Sequence, residues 1–204
     1  MFSGMAVKGN HRVDVDRSSE SGVRLIDHLD NSKTMEKLDD ESWDFVIVQE
    51  DMYTGAREDV QQENMFPAIR ALVQGAEESG AETILFNTWV NPAPFREGQM
   101  EEYEANQALL SQGYKMIGEE LDLRVAPVDQ AFLNSLGERP HMYLWSEADD
   151  HGHANFLGSY LAAAVFYAMI FHESPVGLDY IYVDEETSNY LQTIAAETIF
   201  GEIN

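Results

Sequence analysis

The chain contains no cysteine, few basic residues and no long apolar run. Of its 204 residues, 12 are Lys or Arg and 37 are Asp or Glu, so the formal net charge is −25. The absence of cysteine excludes disulfide bonds and thiolate chemistry. Binding to nucleic acid requires clusters of basic residues that neutralise phosphates, and the sequence has no Lys/Arg run. A nucleic-acid partner is therefore not expected.

The composition also bears on location and size. No apolar stretch approaches the roughly 18 residues of a membrane span, and the N-terminus lacks the basic–apolar pattern of a signal peptide. We therefore expect no membrane span and a cytoplasmic location. With 44% apolar residues the chain can bury a core, and we predict one domain over residues 1–204. The acidic, Lys-poor composition suits a high-salt cytoplasm and an ordinary acidic soluble protein equally well.

Short apolar segments alternate with helical patterns along the chain. Strands are predicted at 11–16, 43–49, 83–89 and 123–128, the second and third dense enough to be covered on both faces. Helices are predicted at about 67–78, 98–121, 155–171 and 185–200. This alternation predicts an α/β fold with a parallel sheet and helices on both faces. In such folds ligands bind beyond the carboxyl ends of the strands.

Two polar segments follow predicted strands. Residues 18–22 (SSESG) come after the first strand and open a predicted helix, where backbone N–H groups can hold an anion or an oxyanion. A Ser/Gly turn that only caps a helix is the more common explanation. Gln49, Glu50 and Asp51 end the second strand, where they form either part of a pocket or a solvated loop entry.

The third segment, residues 149–153 (DDHGH), carries the most chemistry. An aspartate upstream of a histidine at a helix entry can orient the imidazole through its Nδ1 proton, and the other nitrogen then acts as a general base. A metal site at Asp150, His151 and His153 is an alternative, although alternate residues of a turn point apart. A third possibility is that Asp or Asn155 only caps the following helix.

Six segments follow one another along the chain: SSESGVRLIDHLD, WDFVIVQE, MFPAIRALV, AETILFNTW, LRVAPV and DDHGHANFLGSYLAAAVFYAMIFHESPVGL. Together, and in this order, they resemble a bacterial and archaeal branch of the SGNH (GDSL-like) hydrolase superfamily. The resemblance extends from about residue 1 to residue 200. Its most specific element is Asp150-x-x-His153 followed by Gly158-Ser159-Tyr160-Leu161.

This resemblance implies a flavodoxin-like three-layer α/β/α sandwich with a parallel sheet and a Ser–His–Asp esterase mechanism. In it, Asp150 orients His153, which deprotonates a serine. The resemblance also implies that the Gly22 N–H binds the oxyanion, and more loosely that the Gln49 side chain does, where the wider superfamily uses Asn. Asn87 and Trp89 would line the pocket. The implied substrate is a small-molecule ester with an acyl or acetyl group on a carbohydrate or lipid-like molecule, with no cofactor and no metal; a homo-oligomer is compatible with it.

The nucleophilic serine of the family has no counterpart in the sequence. The family places it after the first strand, in an apolar–Gly–(Asn/Asp)–Ser block. Here Gly9-Asn10-His11 follows no apolar strand, and Ser3 falls in a presumed helix. We therefore expect that the sequence is N-terminally truncated and lacks the first, central strand of a 2-1-3-4-5 sheet. A smaller departure is Ala154-Asn155 in place of Pro-Ser.

A chain with base and acid but no serine would be nearly inactive, because a triad that has lost one member retains only about 10³–10⁴-fold catalysis over water. The alternatives are a non-catalytic binding or scaffold protein that keeps the fold, and, less favoured, a metal-dependent hydrolase using Asp150, His151 and His153.

Overall fold

The computed structural model describes residues 1–20, 22–40, 42–53, 55–146, 152–178 and 182–201. These residues form two compact units. One comprises residues 17–125, and the other comprises residues 1–16 with 126–204.

The strands form a three-stranded sheet in the order β1-β2-β3. Their bounds are β1 Phe45–Val48, β2 Glu82–Asn87 and β3 Arg124–Pro127. β1 and β2 pair in parallel, with Phe45 opposite Glu82 and Val48 opposite Leu85. The predicted α/β fold with a parallel sheet is confirmed, and three of the four predicted strands lie within two residues of their expected bounds.

Residues 17–125 contain several helices, and the one at Phe66–Glu78 shows clear sequence signals at both of its ends. A 3₁₀ helix spans Leu25–Asp30 and a π-helical turn spans Gln61–Met65. The α-helices are α2 Ser32–Asp40, α3 Glu58–Val60, α4 Phe66–Glu78, α5 Ala93–Arg96 and α6 Met100–Leu121. Pro67 lies in the first turn of α4, where its missing N–H is tolerated. Gly80, just past the end of α4, has a φ of +84°, which favours glycine.

A continuous apolar core holds this unit together. β2 is buried on both faces, as predicted, and α4 and α6 pack against it. The largest fully enclosed side chains of this unit include Met65, Ile69, Ile84, Leu85, Tyr103, Leu110 and Tyr114. Burying a large apolar side chain contributes about 1.5–3 kcal/mol, so this core fixes β2 and thereby the loop that follows it.

The other unit is mainly helical. Its α-helices are α1 Phe2–Lys8, α7 Val128–Glu138, α8 Phe156–Phe171 and α9 Glu185–Phe200. α8 packs against α1, α7 and α9. Because it contacts helices on several sides, its sequence is apolar almost all round, as expected for a buried helix. The side chains of Phe132, Trp145, Tyr160 and Tyr167 are almost fully enclosed there.

The predicted strand at 11–16 does not form. These residues have no regular secondary structure, and Val15 is 55% exposed. A strand needs a neighbour for its N–H and C=O groups, and no strand in the described part of the chain pairs with this segment. The His11 N–H instead bonds the Ala6 carbonyl, and the His11 ring stacks on Phe171 at 3.8 Å.

Two further expectations are wrong. No helix begins at Gly22, since residues 11–20 and 22–24 have no helical structure and the 3₁₀ helix starts at Leu25. β1 is not covered on both faces either, because Ile47 is 41% exposed. β1 lies at the edge of the described sheet, and there its alternate side chains meet solvent instead of a second layer.

Among the described residues, no helix is both long and apolar enough to cross a membrane.

Candidate functional site

A cleft of about 440 Å³ lies at the carboxyl ends of β1 and β2. It is bordered by the loop after β1, the loop after β2 and the first turns of α6. Its lining residues are Met52, Tyr53, Ala56, Arg57, Val90, Asn91, Ala93, Pro94, Glu97, Gln99, Glu102 and Asn106. The lining offers hydroxyl, amide, carboxylate and guanidinium groups, which can hydrogen-bond a polar ligand.

A buried glutamine holds the loop after β1. Gln61 lies in the π-helical turn, and its Nε2 donates to the carbonyls of Gly55 at 2.7 Å and Leu109 at 3.0 Å. Gly113 of α6 makes room for this amide, because a Cβ there would lie 2.5 Å from Gln61 Nε2. Gly55 is equally confined, because a Cβ on it would overlap the Leu110 Cδ1 methyl group. The loop is thus tied to α6 through a neutral amide.

A second buried glutamine holds the loop after β2. Gln107 of α6 accepts a hydrogen bond from the Val90 N–H at 2.9 Å and donates to the Thr88 carbonyl at 3.0 Å. Both loops that border the cleft are therefore anchored on the same helix. Because a buried amide that loses its partners costs about 1–3 kcal/mol, these glutamines fix the loop conformations strongly.

Glu50 is completely buried between the end of β1 and the 3₁₀ helix. Its Oε1 accepts hydrogen bonds from the Leu25 N–H at 3.1 Å and the Asp51 N–H at 2.9 Å. Its Oε2 has no hydrogen-bond partner among the described residues. Burial raises the pKa of this carboxyl, while the two N–H donors act in the opposite direction.

The sequence-predicted residues of this unit occupy different environments. Gly22 is exposed with a φ of +72°, and Gln49 is exposed directly after β1. Asn87 ends β2 and is buried, with no partner for its Oδ1 among the described residues. Trp89 is buried edge-on against Phe86, with ring centroids 6.2 Å apart. None of these four lines the cleft, whose walls begin one residue beyond Trp89.

In the other unit, His153 is exposed just before α8. Trp145 and Ala154 form an antiparallel bridge, and the Ser146 N–H bonds the His153 carbonyl at 2.9 Å. Asn155 is the N-cap of α8: its side chain accepts from the Gly158 N–H at 3.0 Å. The structure therefore confirms capping by Asn155, and this capping fixes the backbone on which His153 sits.

The same end of α8 carries an exposed aromatic pair. Phe156 and Tyr182 meet edge to face with ring centroids 6.3 Å apart, and Tyr182 is 70% exposed. Edge-to-face contacts of this kind stabilise aromatic pairs beyond the area they bury. Phe156 lies three residues along the chain from His153, so the pair presents an apolar surface near that end of the helix.

Asp150 and His151 lie outside the described residues, so the predicted dyad with His153 and the alternative metal site remain predictions. Ser21 also lies outside them. Within the described ranges, no group of three or more His, Asp or Glu side chains is placed to hold a metal ion.

Sequence reasoning overlooked the residues that hold the loops in place. Gln61 and Gln107 give no signal, because a glutamine on a helix is as compatible with solvent as with a buried contact. Glu50 does give one. It lies two residues after Val48, and successive side chains of an extended segment point to opposite faces, so Glu50 shares the buried face of Val48 while Gln49 faces outward.

Comparison with family models gives no match to the chain, and comparison with curated proteins gives none either. Solved structures do resemble it. A DUF4886 family protein from Bacteroides uniformis is 13% identical, with a TM-score of 0.72 over 100% of this chain and 90% of that one. A protein from Slackia heliotrinireducens described as "a putative SGNH hydrolase" is 21% identical, with a TM-score of 0.63 over 81% of this chain and 88% of that one. The chain therefore has a mixed α/β fold similar to that of a protein described as an SGNH hydrolase, and the likeness is one of fold.

Proposed function

We propose that the protein is an ester hydrolase of the SGNH type. His153 is the general base and Asp150 orients it. The backbone N–H of Gly22 and the side chain of Gln49 stabilise the oxyanion, while Asn87 and Trp89 support the substrate pocket. The proposal is supported by the sequence resemblance to this superfamily and by the likeness in fold to a protein described as an SGNH hydrolase.

The observation that carries the proposal is the placement of His153. An exposed imidazole stands on a backbone fixed by the 145–154 bridge and the Asn155 cap, immediately before a buried helix. A general base must reach the substrate, and a fixed backbone limits the positions that its imidazole can take. A histidine serving only the core would be enclosed instead.

The reaction has two steps. A serine Oγ attacks the ester carbonyl as His153 takes its proton, and the proton passes to the departing alcohol when the C–O bond breaks. Water then attacks the acyl-enzyme, again losing a proton to His153, and the carboxylic acid leaves as that proton returns to the serine oxygen. The substrate is a small-molecule ester with an acyl or acetyl group on a carbohydrate or lipid-like molecule. The serine is not assigned among residues 1–204.

Labelling with a fluorophosphonate probe tests this function. We expect the 204-residue chain to show little labelling, and a form extended upstream to an in-frame Gly-(Asn/Asp)-Ser block to label strongly. In the extended form, His153→Ala abolishes labelling, whereas His141→Ala, a change at another exposed histidine, leaves it unchanged. Strong labelling of the 204-residue chain would instead point to Ser3 or Ser21.

Two outcomes would favour the alternatives. An extended form that folds but neither labels nor hydrolyses p-nitrophenyl acetate favours a non-catalytic binding or scaffold protein. Hydrolysis that stops on chelation and returns with a divalent metal favours the metal-dependent mechanism at Asp150, His151 and His153.

A further inference from the structure

The carboxyl group of Glu50 joins two separate segments of the chain. One is the start of the 3₁₀ helix, reached through the Leu25 N–H at 3.1 Å. The other is its own strand end, reached through the Asp51 N–H at 2.9 Å. The Glu50 backbone N–H also donates to the Tyr114 hydroxyl at 2.9 Å, which fixes the residue against α6. Glu50 is therefore held from both its backbone and its side chain.

The two joined segments each carry a proposed oxyanion donor. Gly22 lies three residues before Leu25, and Gln49 is the residue directly before Glu50. Residues 22–24 have no helical or strand hydrogen bonding of their own. A carboxyl that bonds Leu25 thus limits how far Gly22 can move relative to the end of β1.

We propose that Glu50 is a positioning residue that fixes the Gly22–Leu25 segment against the end of β1 and so sets the relative placement of Gly22 and Gln49. Its consequence for catalysis rests on the function proposed above. Donors must lie within hydrogen-bond reach of the developing oxyanion, and a misplacement of about 1 Å can cost a factor of about 10² in rate. Glu50 is too deeply buried to touch substrate itself.

The environment of Glu50 makes this link observable. Burial raises the pKa of its carboxyl, and the neighbouring Asp51 carboxylate raises it further. The Arg24 guanidinium, which is paired with Asp27, is close enough to interact electrostatically with Glu50. The Tyr114 hydroxyl, on the α6 side, meets the Glu50 backbone rather than its carboxyl. A change of charge on Oε1 must alter the hydrogen bond from the Leu25 amide, which therefore reports the titration.

Amide chemical shifts of the ¹⁵N-labelled 204-residue chain, followed by NMR against pH, test the link directly. We expect the Leu25 amide to shift with a single midpoint above the ordinary glutamate value. Glu50→Gln retains an oxygen that accepts from Leu25 and removes the titration. The control variant Glu77→Gln, a change at an exposed glutamate, should leave the titration of the Leu25 amide unchanged. A Leu25 amide that titrates unchanged in Glu50→Gln, or that does not titrate in the parent chain, overturns the proposal.

Kinetics of a form that hydrolyses p-nitrophenyl acetate provide the second readout. Glu50→Ala should lower kcat by about 10- to 100-fold with KM nearly unchanged, because oxyanion donors act in the transition state. Glu50→Gln, which keeps the acceptor, should recover most of that loss. Equal losses in both variants, or a loss confined to KM, would contradict positioning. If no form hydrolyses the ester, the proposed function fails, while the NMR titration still decides whether Glu50 holds the segment.

Discussion

Two segments that carry proposed site residues are held in place by different chemistry. The segment before α8, with His153, depends on the neutral amide of Asn155. Its Nδ2 donates to the carbonyls of Tyr143 at 2.7 Å and Trp145 at 3.2 Å, and its Oδ1 caps α8. The segment from Gly22 to Asp30 depends on carboxyl groups, those of Glu50 and Asp27.

The two kinds of anchor differ in how they respond to a change of pH. An amide has the same hydrogen-bonding groups at every physiological pH, so the backbone that carries His153 keeps the same anchor. A carboxyl gains or loses a proton, and the segment it holds changes with it. The proposed base therefore lies on an anchor that does not titrate, whereas the proposed oxyanion donor Gly22 lies near anchors that do.

The largest effect on stability is expected from Gly158→Ala, which adds a methyl group where the segment before α8 packs closely on that helix. A Cβ at Gly158 would overlap the Leu144 carbonyl oxygen, which is backbone and also accepts from the Asn155 N–H. Relief of this clash must displace residues 143–146 from α8. We expect a loss of about 3 kcal/mol in the free energy of unfolding, measured by urea denaturation.

Gly137→Ala provides the matched control for that variant. Gly137 also lies in a helix of the same unit, but nothing lies within 4 Å of its Cβ position. Its replacement should leave stability unchanged or raise it by up to about 1 kcal/mol, because alanine favours helix. Equal stability of the two variants would show that the 143–146 segment is not packed on α8 as described.

The next effect is expected from Asn155→Ala, which removes the amide anchor without adding bulk. The loss of the cap and of two side-chain hydrogen bonds should cost about 2 kcal/mol in the free energy of unfolding. Asn155→Asp keeps the oxygen that caps α8 but places a carboxylate oxygen against the carbonyls of Tyr143 and Trp145. It should therefore restore little of the stability that is lost in Asn155→Ala. Asn189→Ala, at an exposed asparagine of α9, is the control. Urea denaturation measures all three, and a fully stable Asn155→Asp would mean that the two donated bonds contribute nothing.

Much of the fold could be predicted because its signals are local. Apolar spacing placed α6 within two residues, and Pro67 and Gly80 marked the start and end of α4. The prediction of a strand at 11–16 is wrong because a strand needs a partner strand elsewhere in the chain. The alternation of apolar and polar residues does not show whether such a partner exists. The prediction that β1 is covered on both faces is wrong for a related reason. Whether a strand lies at the edge of a sheet depends on the order of the strands, which the local sequence does not show.

The candidate site was less predictable than the fold. His153 and the Asn155 cap could be identified because a helix entry is a local feature. Gln61 and Gln107 could not, because their partners include the Leu109 carbonyl, the Val90 N–H and the Thr88 carbonyl, which lie 17–48 residues away along the chain. Contacts of this kind have no sequence signature. The inward position of Glu50 follows from its spacing to Val48, but the resemblance to the hydrolase superfamily implies a role for Gln49 and none for Glu50.

The smallest effects on the free energy of unfolding are expected from a change of pH, and they distinguish the two kinds of anchor directly. Burial raises the pKa of Glu50 in the folded protein. Its contribution to stability is therefore greatest below the ordinary glutamate pKa and decreases as pH rises towards the folded value. Hydrogen bonds from Arg24 lower the pKa of Asp27. Its contribution is fully present above the ordinary aspartate pKa and is lost as pH falls through the lowered folded value.

Urea denaturation across the acidic and neutral range separates these two carboxyls. The stability of the parent chain relative to Glu50→Gln should decrease as pH rises above the ordinary glutamate value. Its stability relative to Asp27→Asn should decrease in the opposite direction, as pH falls, and by less, because the Arg24–Asp27 pair is exposed. The difference in the free energy of unfolding between Asn155→Ala and the parent chain should not change with pH. Slopes of the same sign for the two carboxyl variants, or a pH-dependent effect of Asn155→Ala, would remove the distinction between a titrating and a non-titrating anchor.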